Sequence, residues 1–151
     1  MTVKIIADSL GDIPADIVKE LGITIIPIIV LFGTESYRDG IDLTTEQFYE
    51  KLVRAKVLPT TAVPSLGIFA DIYDKVAQET DEIVVLTLSH KLSGTYDAAL
   101  HAVEMMKKKC RIQVIDTMHI IMAEGLIVIA AAKAAKAGAP FDEVVQIAQQ
   151  N

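Results

Sequence analysis

The 151-residue sequence contains no tryptophan and only one cysteine, Cys110. A single cysteine excludes an internal disulfide and any zinc site built on cysteines, and this usage predicts a cytoplasmic protein. Basic residues are also scarce, since 14 lysines and arginines stand against 20 aspartates and glutamates, for a net charge of -6. Nucleic acid phosphates and anionic membrane surfaces bind basic faces, so we expect neither of them as a partner.

Long apolar runs are missing as well. The most lipid-like run, residues 125–132, lies between Glu124 and Lys133 and is far shorter than the roughly 20 residues that span a bilayer. Asp8 interrupts the first apolar run too early for a signal peptide. We therefore expect no signal peptide and no stable insertion into a membrane.

Motifs for common cofactors and metals are also absent. The glycines are scattered, without a Walker loop or a dinucleotide fingerprint. His90, His101 and His119 lack the spacing of metal ligands. We expect no cofactor and no metal.

Apolar residues make up 52% of the chain, enough for one domain with a substantial core. Short β-branched runs alternate with segments of helical period, which predicts an α/β fold of three layers: a mostly parallel sheet of about four to five strands with helices on both faces. Strands are predicted at residues 3–7, 23–32, 82–88 and 111–117. Pro27 marks the second of these as an edge strand or as broken at that point.

Local signals predict the remaining connections. Residues 33–40 indicate a hairpin or an excursion from the sheet, and residues 56–64 indicate a loop. Asp12 and Ser65 are predicted to cap helices, and Thr44 with Gln47 forms a capping-box pattern. The lysines at positions 107–109 are predicted in the last turn of a helix.

Small hydroxyl groups follow several of the predicted strands. Residues 8–9, 89–93 and 116–117 end strands, and residues 60–61 lie in the loop predicted at 56–64. The carboxyl ends of parallel strands meet on one side of a sheet, so these groups are expected on one rim. Ser93, Gly94 and Thr95 precede a helix, whose free N–H groups suit a carboxylate, a phosphate or a carbonyl oxygen.

Three other interpretations of these residues remain open. Ser93 could be only a helix cap, and Asp8 and Asp116 could serve local turns rather than form a carboxylate pair. Ser93 with His90 could belong to a serine-dependent hydrolase or acyltransferase, although no orienting acid is evident. The chain could also be a non-catalytic interaction domain.

The motifs, taken together, resemble the DegV family of bacterial fatty-acid-binding proteins. They occur in family order and cover nearly the whole chain. The matching pieces are residues 6–9, 12–14, 26–27, 37–40, 48–52, 59–65, 92–96 and 114–117.

The resemblance implies a lipid-binding protein that is not itself an enzyme. Family members hold one long-chain fatty acid between two α/β domains, and its carboxylate binds residues matching Thr61 and Ser93. The other ligand-binding positions expected by the same resemblance are Ser9, Thr60, Ser65, Gly94 and Thr95. Some members carry the acyl group for a fatty acid kinase, whose partner subunit supplies the phosphorylation chemistry.

The chain departs from the family pattern in places. Ala62 and Val63 stand where polar residues are usual, and Thr117 stands where serine is usual. The resemblance further implies that residues 1–138 form the N-terminal DegV domain. Residues 139–151 would then begin a connecting helix toward a second domain that is absent here.

Overall fold

A four-stranded parallel sheet forms the centre of the computed structural model, which describes residues 2–150. Its strands are β1 (Lys4–Asp8), β2 (Thr24–Ile26), β6 (Glu82–Thr87) and β7 (Arg111–Asp116). They lie side by side in the order β2-β1-β6-β7.

Helices cover both faces of this sheet. One face carries α1 (Ala15–Leu21), α5 (Met122–Lys136) and α6 (Phe141–Gln149), and the other carries α3 (Leu66–Val76) and α4 (Thr95–Ala102). The four central residues of β6 are apolar because their side chains alternate between the two cores: Val84 and Leu86 enter one, and Ile83 and Val85 enter the other. The predicted three-layer α/β class is confirmed.

The apolar run of residues 23–32 divides at Pro27 between two sheets. Strand β2 is an edge of the parallel sheet, whereas β3 (Ile29–Phe32) is the central strand of a three-stranded antiparallel sheet. Pro27 has no N–H to donate to a ladder. The next N–H, that of Ile28, donates to Ser9 Oγ at 3.1 Å, which ties the crossing to the end of β1.

The antiparallel sheet confirms the predicted excursion and corrects the predicted loop. Strand β4 (Glu35–Arg38) forms a hairpin with β3. Residues 56–64 are not all loop, because β5 (Thr60–Ala62) pairs with β3 and places Thr61 opposite Val30. A strand of three residues is too short to show a period, so only its pairing partner reveals it.

Two predicted helix signals are corrected. Asp12 does not cap α1, whose N-cap is Pro14; Asp12 is left-handed (φ 48°) and its N–H donates to Ser9 O. Helix α4 ends at Ala102 and continues as a 3-10 turn, so residues 107–109 lie past it. The N–H groups of two of these lysines donate to Asp74 Oδ1, which holds the segment without a helix.

Helix α2 (Thr45–Arg54) begins with the predicted capping box. Gln47 N donates to Thr44 Oγ1 at 3.2 Å, and Thr44 N donates to Gln47 Oε1 at 2.9 Å. We expect Thr44→Ala to lower the free energy of unfolding by about 1 kcal/mol, measured by urea denaturation. Thr45→Ala, one position on, is the control with little expected effect, and equal losses in both would contradict a capping role.

The helices of residues 2–150 were searched for membrane spans. None of them is long and apolar enough to cross a bilayer.

Candidate functional site

Two hydroxyl-bearing loops lie against each other at one end of the molecule. Thr61 is exposed on β5, and the segment after it reaches α3. A Cβ added to Gly94 would lie 4.0 Å from Val63 Cγ2, so the β5–α3 loop packs beside the β6–α4 loop. Thr61, on the strand that leads into the first loop, and Ser93, in the second loop, are therefore brought to neighbouring segments although they are distant in the sequence.

Ser93 has a local structural role that leaves its hydroxyl available. Its Oγ accepts a hydrogen bond from Thr95 N at 3.2 Å and lies 2.9 Å from Thr95 Oγ1. Gly94 and not Ser93 occupies the N-cap position of α4, so the interpretation of Ser93 as the helix cap is wrong and this contact belongs to the turn before the helix. A hydroxyl has one proton and two lone pairs, so Ser93 can accept from Thr95 and still donate its proton to a ligand.

The remaining predicted site residues are distributed differently. Thr60 is exposed on β5 beside Thr61, and Thr95 is fully buried behind Ser93. Ser65 occupies the N-cap position of α3, but its side chain makes no capping hydrogen bond, contrary to its predicted role. Its exposed hydroxyl is on the same β5–α3 loop.

Ser9 follows β1 at the same edge of the parallel sheet as the loop after β6, but its hydroxyl lines a different part of the surface. Its hydroxyl accepts from Ile28 N and lines a cleft of about 560 Å³ with Asp12, Pro27 and Asp39, a cleft that Thr61 and Ser93 do not line. The reason is the division of the chain at Pro27, which draws the end of β1 toward the antiparallel sheet.

The two strand-end aspartates serve local turns, as one of the open interpretations held. Asp8 Oδ1 accepts from Leu10 N at 3.0 Å, and Asp116 Oδ1 accepts from Met118 N at 2.8 Å. Asp8 Oδ2 also accepts from Leu88 N at 2.8 Å, which joins the ends of β1 and β6.

Glu124 is a buried acid that sequence reasoning missed. It is 0% exposed in the first turn of α5, and neither carboxylate oxygen has a hydrogen-bond partner among the described residues. Burial, and then the charge of Asp8, raises the pKa of Glu124 to about 9. Burial likewise raises the pKa of Asp8. No local pattern marks Glu124, because its acidic neighbour Asp8 comes from β1.

His90 acquires the acidic partner that the sequence did not reveal. Its Nδ1 is hydrogen-bonded to Asp116 Oδ2. Burial opposes ionisation of Asp116, but hydrogen bonds from Met118 N and from His90 outweigh it and lower the Asp116 pKa. Within residues 2–150 the Ser93 hydroxyl is bonded to Thr95 and not to His90, so the three side chains do not form a connected triad.

The described part of the chain contains no group of three histidine, cysteine, aspartate or glutamate side chains that could hold a metal ion. The ring of His119 is instead engaged within its own loop, where Nδ1 lies 2.6 Å from Thr117 O.

Comparison with known proteins decides the family. A family model described as "Uncharacterised protein, DegV family" matches residues 2–151. The chain belongs to the DegV family. Among DegV domain-containing proteins, it is 38% identical over 143 residues to one from Caldanaerobacter subterraneus and 36% identical over 150 residues to one from Clostridium perfringens. These matches cover 95% and 97% of this chain, and 50% and 53% of the relatives.

Solved DegV structures share the fold. DegV of Bacillus subtilis, described as a fatty acid binding protein, has a TM-score of 0.92 at 27% identity, covering 99% of this chain and 53% of that one. A stearic acid-binding protein from Eubacterium ventriosum has a TM-score of 0.88 at 27% identity, covering 95% and 51%. The chain thus spans about half the length of the relatives it matches.

Proposed function

We propose that this DegV chain binds one long-chain fatty acid and that Thr61 and Ser93 donate hydrogen bonds to its carboxylate. The observation that carries the proposal is the packing of the two hydroxyl loops, through Val63 and Gly94. The descriptions of the solved relatives as fatty acid binding proteins support the same ligand. Uncharged hydroxyls would stabilise a carboxylate without neutralising it.

Apolar side chains beside these loops support an acyl tail as the other half of the ligand. Leu58 is 78% exposed, Leu92 63%, Leu66 38% and Val63 37%. Burying a sixteen-carbon tail is worth on the order of 10 kcal/mol at about 0.8 kcal/mol per methylene. Association and ordering costs offset much of this, so the tail would supply affinity and the hydroxyls orientation.

The same proposal describes a carrier without catalysis of its own. The family resemblance favours presentation of the acyl carboxyl group to a fatty acid kinase in the cytoplasm, with ATP and metal bound by that partner. Since the matched relatives are about twice as long, we expect the remainder of the lipid site to come from the half that this chain does not span.

Ser93→Ala and Thr61→Val should each weaken fatty acid binding by about tenfold or more. Each removes a hydrogen bond to a charged group, worth roughly 1.5–3 kcal/mol. The measurement is the dissociation constant of a sixteen-carbon fatty acid by titration calorimetry. Ser36→Ala, an exposed hydroxyl on β4 of the same antiparallel sheet as Thr61, is the matched control. Unchanged affinity in a variant that carries both Ser93→Ala and Thr61→Val would show that other residues bind the carboxylate.

Mass spectrometry tests the ligand directly. The purified protein would be measured under native conditions and again after organic extraction, both as this chain and as a form extended past residue 151. A fatty acid at about one per chain in either form supports the proposal. Absence of lipid from both would reject it.

A serine hydrolase is the second candidate, and one observation favours it: Asp116 orients His90 at the start of the loop that ends with Ser93. An activated fluorophosphonate probe distinguishes the two functions, because only a nucleophilic Ser93 would be labelled. We expect no labelling, since Thr95 and not His90 is bonded to the Ser93 hydroxyl.

A further inference from the structure

The carboxylate of Asp116 joins two loops at the carboxyl edge of the parallel sheet. Its Oδ2 accepts hydrogen bonds from His90 N, at 3.2 Å, and from His90 Nδ1. Its Oδ1 accepts from Met118 N in its own loop. The Asp116 side chain is only 13% exposed, whereas that of His90 is 48% exposed, so a sheltered acid holds a residue of the surface loop.

The loop held in this way is the one that carries Ser93. Ser89 is buried, and its N–H donates to His119 O at 2.9 Å, a second bond between the same two loops. The carbonyl oxygen of Ser89 accepts from Leu92 N at 3.0 Å and from Ser93 N at 3.3 Å. His90 therefore lies within the hydrogen-bonded turn that ends at Ser93.

Side-chain packing contributes little to the position of residues 91 and 92 in the middle of this turn. Lys91 is exposed and Leu92 is 63% exposed, so neither side chain is fixed in a core. Hydrogen bonds then determine where the turn lies, and those from His90 to Asp116 are charge-assisted, which makes them stronger than bonds between neutral groups.

We propose that His90 and Asp116 are positioning residues that act through Ser93 and thereby set the affinity for the fatty acid head group. This inference rests on the proposed function, because it assigns the pair a role only if Ser93 binds the carboxylate. Donors that must lie at a defined point in a site are held by a second set of side chains, and loops need such support more than helices or strands do.

A double-mutant cycle tests the proposal on the full chain, with the dissociation constant of palmitate as the readout. His90→Ala is expected to weaken binding about tenfold, the loss of one such hydrogen bond. In the Ser93→Ala background the same substitution should have no further effect, because its target is gone. In the Thr61→Val background it should retain its full tenfold effect.

If His90→Ala also lowers thermal stability, three further variants distinguish a positioning role of His90 from a general loss of folding. Asparagine carries an amide nitrogen on Cγ, where histidine carries Nδ1, so His90→Asn should restore binding. In His90→Gln the amide lies one bond farther out, and binding should remain weak. His101→Ala, at an exposed histidine in the last turn of α4, should bind palmitate as the original protein does.

The outcomes separate this inference from the function on which it rests. If neither this chain nor the form extended past residue 151 binds palmitate, the proposed function is rejected before any variant is compared. In the form that binds palmitate, an equal loss from His90→Ala in all three backgrounds, or no loss in any, overturns the positioning role. Loss confined to backgrounds that contain Ser93, with rescue by His90→Asn, supports it.

Discussion

Gly125→Ala is expected to destabilise the protein by about 3 kcal/mol, although alanine is normally the better helix former. A Cβ at Gly125 would lie 2.3 Å from the carbonyl oxygen of Gly11, and 3.3 Å from both Ile13 Cγ1 and Met122 Sδ. The first clash is with backbone, which cannot rotate away. Helix α5 and the 3-10 turn at residues 9–11 would have to separate.

Urea denaturation measures this loss, with Gly67→Ala as the matched control. Gly67 lies in the first turn of α3, and the nearest atom to an added Cβ there is Ser65 Oγ at 3.9 Å. Alanine at that position should stabilise the protein by about 0.5 kcal/mol through helix propensity. A Gly125→Ala variant as stable as the original protein would show that α5 does not pack this closely on the turn.

Glu124→Gln is expected to stabilise the protein above neutral pH and to flatten its pH dependence. Burial raises the folded-state pKa of Glu124 from its ordinary 4.5 to about 9. Between those values the folded protein keeps a proton that the unfolded chain has lost, so this contribution is complete below about pH 4.5 and disappears as pH rises through 9. By pH 7 the loss is on the order of 3 kcal/mol at 1.4 kcal/mol per pH unit.

The free energy of unfolding between pH 5 and pH 9 checks this sign. Glutamine is neutral at every pH, so the part of the pH dependence that comes from residue 124 should vanish. The raised pKa of Asp8 should leave only a smaller decrease in the free energy of unfolding as pH rises from 5. The exposed Glu104→Gln is the control and should follow the original pH profile. Parallel profiles for the Glu124→Gln variant and the original protein would contradict a buried, proton-holding carboxyl group.

Most of the fold could be predicted because each element carries its own local signal. The apolar run at β6 predicts a strand buried on both faces, and the Thr44–Gln47 box predicts the start of α2. Strand β5 escaped prediction because three residues show no period and its ladder partner, β3, is about 30 positions away.

Sequence motifs likewise predicted some features of the candidate site and missed others. Thr61 and Ser93 could be singled out because each belongs to a short motif of hydroxyls and glycine or proline, and those motifs match the DegV pattern. Ser9 fitted the same pattern, yet its hydroxyl is bonded to Ile28 N in a cleft that neither Thr61 nor Ser93 lines, because the chain crosses between sheets at Pro27.

By itself the sequence determined the α/β class, the alternation of strands and helices, and the family, since composition, periodicity and ordered motifs are properties of the chain. Only the tertiary structure decided which polar groups meet. His90 and Asp116 are 26 positions apart, and Glu124 lies beside Asp8 only because α5 packs on the end of β1. The physical reason is that burial and pairing depend on long-range packing, which no local pattern of residues records.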